Sequence, residues 1–212
     1  MKTFSNNRLP QYSILEEILN SISHGLGFIF SVVVFILLVL KYQNNFKNMV
    51  IVSIYSISLM ILYISSTLYH SISPGKTKNT LRKLDHCSIF LLIAGTYTPI
   101  CTMLINNAIS HFVLFLVWLT AIIGISLNMI NVNKFEKLSF ICYITMGWSI
   151  VLIVKPAWQN LSSSQLTWLI LGGIFYTMGA ILYLLGKKKK YIHSIWHIFV
   201  LAGSISHFIT IY

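Results

Sequence analysis

More than half of the 212 residues are hydrophobic (56%) and only 9% are charged, with a mean hydropathy of +0.78; a soluble globular chain carries about 25% charged residues. That balance excludes an ordinary soluble domain and marks a membrane protein. The net charge of +11 raises nucleic acid as a partner, so the placement of the basic residues has to decide.

Residues 1–20 read as a short polar leader that carries Glu16 and Glu17. The apolar stretch behind it is of full spanning length, so the leader is expected to stay attached rather than to be cleaved as a signal peptide. Seven apolar runs then follow, at 21–40, 49–69, 86–105, 109–130, 138–154, 166–185 and 192–212, the fifth being the shortest. Each approaches the ~20 residues that a helix needs to cross the hydrocarbon core. A transmembrane barrel would show ~10-residue stretches of alternating polarity, and these runs are continuously apolar. The expected fold is all-α: a polytopic seven-transmembrane-helix bundle, one domain over 21–212, with loops too short for a second folded unit.

Taken alternately, the leader and the second-to-third, fourth-to-fifth and sixth-to-seventh loops hold twelve of the 15 Lys and Arg residues, including the run 187–190. The opposite side holds Lys41, Lys47 and Lys155. The positive-inside rule therefore expects the N-terminus in the cytoplasm and Tyr212 outside. The basic charge is topogenic and no nucleic acid is expected as a partner, although the run 187–190 also has the composition to attract anionic head groups.

With that orientation, odd-numbered spans run outward and even-numbered spans inward, and each polar residue acquires a depth. "SSTLYHS" at 65–71 places His70 at the cytoplasmic end of the second span, and "IHSIWH" at 192–197 places His193 and His197 in the first turns of the seventh. Asp85 opens the third span on the same side, and Glu17, Asn20 and His24, spaced i, i+3 and i+7, present one helical face there. Four helix ends bring polar residues to one level.

His193 and His197 are i, i+4, which sets their Cβ atoms about 5–6 Å apart on one face. That spacing suits Zn2+, which takes neutral imidazole nitrogen. Two interfacial histidines bonded to loops would look the same, and it is His70 and Asp85 at the same depth that favour a metal. Three imidazoles with a fourth position for water make the pattern of a catalytic zinc site, whereas a structural site is closed by four ligands. The helix lacks the glutamate of H-E-x-x-H, so Asp85, the chain's single aspartate, is the candidate to hold or deprotonate that water. Its ordinary alternative is a helix N-cap paired with Arg82 or Lys83. Ser66, one turn before His70, is a candidate to orient the ligand or contact the water; its ordinary alternative is a hydroxyl bonded back to a helix carbonyl.

The remaining histidines read differently. His24 is close enough in depth to stand beside the site, and His86 points about 100° away from Asp85 as an interfacial residue. His111 lies at the outer end of the fourth span, and His207 lies about 15 Å outward of His197. Pro99, in "AGTYTPI", interrupts the third span, either to open a cavity or as a locally repaired break. Cys87, Cys101 and Cys142 read as small apolar packing groups, and Trp158 and Trp168 as interfacial belt residues.

Four ordered motifs carry a resemblance: "EEILNSISHGLG" at 16–27, "SSTLYH" at 65–70, "KLDHCSIFLLIAGTYTP" at 83–99 and "HSIWHIFVLAGSISHF" at 193–208. They resemble the hemolysin III proteins, the bacterial branch of the progestin and adipoQ receptor family. The resemblance implies a seven-helix bundle in the bacterial inner membrane, with the N-terminus inside and zinc near the cytoplasmic face on His70, His193 and His197. It implies further that Asp85 holds the zinc-bound water and that Ser66 lies beside it. The chain departs from the eukaryotic receptors in lacking their long cytosolic leader and carboxyl tail, and in a His70-to-Asp85 loop shorter by about two residues, so hormone or adaptor binding is not carried over.

Three functions stay open at this point. One is a zinc-dependent intramembrane hydrolase of a lipid amide or ester, amides being favoured by a wider resemblance to alkaline ceramidases. The second is a non-enzymatic, zinc-stabilised sensor or regulator. The third, suggested by the family name, is a pore-forming cytolysin, which the absence of any export signal disfavours. Membrane lipid is the expected partner, as surroundings and as substrate. Neither the substrate's identity nor the oligomeric state is written in the sequence.

Overall fold

A computed structural model of the chain describes residues 12–186 and 189–212. The leader up to residue 11, and Lys187 and Lys188 of the basic run, lie outside the described residues.

The described residues are helical throughout, with no strand. Helix α1 spans Ile14–Lys41, α2 Phe46–Ser71 and α3 Lys76–Pro99, the last continuing as a π-helical turn over Ile100–Ile105. Helix α4 covers Ala108–Trp148 and passes through a 3-10 segment, Ser149–Ile153, into the short α5, Val154–Asn160; α6 is Ser163–Gly186 and α7 Ile192–Ile211.

Among the described residues, six helical units rather than the expected seven are long and apolar enough to cross a membrane, because the fourth and fifth expected spans lie within one continuous stretch, Ala108–Asn160. That stretch is not straight. Asn131 leaves the helical region (φ −157°, ψ 96°), and the Ser139 hydroxyl donates to Asn128 Oδ1 at 2.7 Å, although residues eleven apart in an unbroken helix stand about 16 Å from one another. The chain therefore folds back on itself at Asn131, whose Oδ1 caps the new helical segment by accepting from Lys134 N at 3.1 Å. The first half runs antiparallel to α3, with Trp118 bonded to Thr98 and Lys83 to the Met129 carbonyl. The second half also lies on α3, the Tyr143 hydroxyl donating to the His86 carbonyl and Tyr97 to that of Gly147.

Helix ends differ from the sequence expectation for local reasons. Helix α1 begins seven residues before its apolar run because Ser13 and Glu16 form a capping box, with Ser13 N donating to Glu16 at 2.9 Å and Glu16 N to Ser13 Oγ at 3.3 Å. Helix α3 begins at Lys76, ten residues before the expected span; the polar stretch TKNTLRKLD contains no helix breaker and winds as helix below the apolar part. Asp85 is consequently interior to α3 and does not cap it. The proton-less nitrogen of Pro99 cannot bond the Gly95 carbonyl, and beyond it the helix widens into the π-helical turn that ends at Asn106 in the left-handed region (φ 46°).

The helices pack in the order α6, α7, α1, α2, α3, α4, and α6 meets the second half of α4 through Tyr183, stacked on Phe140 and bonded to Glu136. Helices α1, α2, α3 and α7 turn many of their polar and small residues inward. In α1 the buried face is Glu16, Asn20, His24, Gly27, Ser31, Val34 and Leu38, while Ile18, Ile22, Leu26, Ile29 and Val33 point out. This inverts the pattern of a soluble bundle, as expected where the surroundings are as apolar as leucine. Between α6 and α7 the approach is closest at glycines seven apart: a Cβ at Gly172 would strike the His207 ring, one at Gly179 would touch Trp196 and Phe199, and one at Gly186 would press on the His193 backbone at 3.1 Å.

Candidate metal centre

At one end of the bundle α1, α2, α3 and α7 bring their polar residues together. His70 comes from the last turn of α2, and His193 and His197 from the first two turns of α7. All three are buried, and each can bring one ring nitrogen to within 4.8 Å of the others. The start of α7 is fixed by α1: Glu16 Oε1 accepts the Tyr191 backbone N–H at 2.8 Å, holding that residue in the left-handed conformation (φ 64°) from which α7 departs.

Helix α1 also orients the rings. Glu17 Oε2 lies 2.5 Å from His70 Nδ1, and its other oxygen lies 2.5 Å from Lys78 Nζ, tying α1 to α2 and α3 at once. His197 Nδ1 lies 3.2 Å from the Asn20 carbonyl and 3.1 Å from Ser23 Oγ. A carboxylate and a carbonyl only accept, so each of these Nδ1 atoms carries a proton, and in the neutral ring each Nε2 is left with the lone pair. The Asn20 side chain completes the junction, its Oδ1 accepting from Ser194 Oγ at 2.6 Å.

The Nε2 atoms of His70, His193 and His197 are buried and have no hydrogen-bond partner. Buried ring nitrogens are normally satisfied. Three that are not, grouped together on rings whose orientation is set from behind for two of the three, form a donor set suited to a borderline cation such as zinc. Tetrahedral zinc would place its nitrogens about 3.4 Å apart, so the residues fit with a modest inward closure.

Around this centre the rings are close. His24 stacks on His197 at 3.6 Å and meets the edge of Tyr63 at 5.1 Å, which puts it beside the trio. Trp196 stands 4.8 Å from His193 and 5.0 Å from His197. Tyr12, just before α1, covers the end of the cluster, with its ring 4.7 Å from that of His193 and 5.7 Å from that of His70. Burial, with the Tyr69 phenol nearby, raises the Tyr12 phenol above the ordinary range, so it stays a donor. Nothing in the sequence singled out Tyr12, since it stands in a polar stretch with no helical pattern; Ser194 and Ser23 were equally silent.

Asp85 is buried in α3, within electrostatic reach of His70, Ser66 and Arg82. The Ser66 hydroxyl is buried beside it and forms no hydrogen bond, whereas Thr67 and Ser56 on the same helix bond back to carbonyls four residues earlier. The ordinary reading of Ser66 thus fails. His86 is buried within the bundle. His111 is exposed at the far end, and His207 lies apart against Tyr176 at 5.3 Å. The three cysteines are free thiols.

A family model described as haemolysin-III related matches residues 12–208. The chain is 39% identical over 203 residues to Hemolysin-3 of Bacillus cereus, covering 95% of this chain and 92% of that protein. It is 41% identical to the Hemolysin-3 homolog of Bacillus subtilis (strain 168), with 93% of each chain covered. The human monocyte to macrophage differentiation factor is 28% identical over 75% of this chain and 68% of its own length. The chain therefore belongs to the haemolysin III family.

Proposed function

We propose that this protein holds a zinc ion on His70, His193 and His197 and hydrolyses a lipid amide within the membrane. The observation that carries the reading is the group of three partnerless, buried Nε2 atoms, with a buried carboxylate and an unbonded hydroxyl beside them. Zinc supplies Lewis-acid polarisation of a carbonyl and acidification of water.

The residues of the chain do the rest. Asp85 accepts a proton from the attacking water and returns it to the leaving amine, as a carboxylate general base does. Ser66, whose hydroxyl is free beside Asp85, is placed to donate to that carboxylate and fix its direction during the reaction. Glu17 and the Asn20 carbonyl hold the imidazoles in the tautomer that ligates. Tyr12 closes the end of the site against bulk water.

The same reading places seven crossings in the inner membrane of a bacterium, the fold-back at Asn131 separating the fourth from the fifth, with the N-terminus in the cytoplasm and Tyr212 outside. The charge asymmetry supports it. Reporter fusions or cysteine labelling at residues 131 and 212 should report opposite sides of the membrane.

Purified protein should contain about one zinc per chain and release fatty acid from a lipid amide, and Asp85→Ala should keep the metal and lose the reaction. A second reading, a zinc clamp in a non-enzymatic regulator, is favoured by the way the histidines join α2 to α7. It expects the metal and its stabilisation with no turnover by any variant.

A further inference from the structure

The fold-back at Asn131 creates a crevice that the histidine site does not use. Its mouth is a cavity of about 90 Å³ lined by Asn79, Arg82 and Lys83 of α3 and by residues 130–133 of the break. Arg82 is buried there with one guanidinium N–H bonded to Asn133 Oδ1 and its Nε without a partner. Lys83 bonds the Met129 carbonyl. Two cations thus stand at one small opening, neither in a close salt bridge among the described residues, although Arg82 is also within electrostatic reach of Asp85.

A second cavity, of about 160 Å³, lies deeper between the same helices and is lined mainly by apolar groups, among them Phe90, Ile123, Leu127, Leu138 and Cys142. The two are in line. Residues 83 and 90 are seven apart on α3, and 130 and 123 are seven apart on α4, so each pair shares one helical face. The Lys83–Met129 and Cys87–Ile125 hydrogen bonds hold the two helices in that register. Seven residues correspond to about 10 Å along the axis. Asp85 stands about 200° around α3 from Lys83, on the side of the histidines.

We propose that this crevice binds an anionic phospholipid, its phosphate at Arg82 and Lys83 and the upper part of one acyl chain against Phe90, Ile123 and Leu127. A phosphate completes a guanidinium that has a spare N–H. The apolar groove beneath it, opening among lipid-facing residues such as Ile123 and Leu138, selects a lipid over a free anion.

The test uses purified full-length protein in detergent, with retained lipid read by native mass spectrometry and thermal unfolding read in parallel. Phosphatidylglycerol, phosphatidylcholine and inorganic phosphate are the probes. Phosphatidylglycerol should be retained and should raise the unfolding midpoint more than phosphatidylcholine does. Lys83→Gln and Arg82→Gln should each weaken that retention roughly fivefold, and Ile123→Trp, which fills the groove without touching charge, should weaken it too. Zinc content should not change in Lys83→Gln or Ile123→Trp, which separates this site from the histidine centre. Equal retention of both lipids, or retention indifferent to all three substitutions, would overturn the proposal. Protection by inorganic phosphate equal to that by phosphatidylglycerol would reduce the mouth to a free-anion site and overturn it as well.

Discussion

Glu17 touches no candidate position for substrate, yet it holds His70 by one oxygen and Lys78 by the other. Replacing it by glutamine keeps the volume but removes the charge and one of the two acceptor oxygens, so His70 Nδ1 and Lys78 can no longer both be held. Glu17→Gln is therefore expected to lower zinc affinity about 10- to 100-fold, measurable by competition with a chromophoric chelator, while the fold remains. His193→Ala combined with His197→Ala should abolish stoichiometric zinc altogether in metal analysis of the purified protein; equal metal in wild type and double variant would remove the histidines from the site. Ser66→Ala, by contrast, removes a hydroxyl that has no other partner, so it should leave stability nearly unchanged and affect only lipid turnover.

Between elements, the decisive surfaces are small. The α6–α7 seam depends on glycines spaced by seven, and a Cβ at Gly172 has no room beside the His207 ring. Gly172→Val should force the helices apart at a cost of about 1–3 kcal/mol, read as a lower midpoint in thermal unfolding, with zinc binding weakened because α7 carries two of the three histidines. At the fold-back, Asn131→Ala deletes the side-chain acceptor for Lys134 N and is expected to cost about 1 kcal/mol without loss of zinc. The contrast between these two variants separates a contact that positions the site from one that only shapes a turn.

For the molecule as a whole, the proposed zinc would join α2 to α7 and bind the folded state alone, so its removal should lower stability by mass action. A chelator should lower the unfolding midpoint of the wild type and leave that of the His193→Ala, His197→Ala variant unmoved. Many polar residues lie inside and much of the outer surface is large and aliphatic, so these measurements need lipid or detergent as solvent; the outward isoleucines of α1 have no place in water.

The membrane class, the all-helical fold and the residues that converge were legible from composition, run length and the spacing of His70, His193 and His197, because in lipid the backbone has few options and a buried titratable group is rarely incidental. The start of α3 was not legible: hydropathy tracks the apolar part of a helix, and the helix here runs ten residues beyond it, which turned Asp85 from an expected helix opener into an interior residue. The break at Asn131 was placed near the right position as a loop between spans, but that the fourth and fifth runs form one stretch bent at a single residue depended on a side-chain cap and on packing against α3. Tyr12 and Ser194 carried no periodic signal and entered only through distance, and although the spacing brought Asn20 to the right face, it did not reveal that its backbone carbonyl holds His197. Sequence by itself determined which groups are too polar for the membrane and on which helix each sits. Tertiary structure alone decided which imidazole nitrogens are held and which are left free, since a tautomer is set by the partner across the interface and not by the residue's own neighbours in the chain.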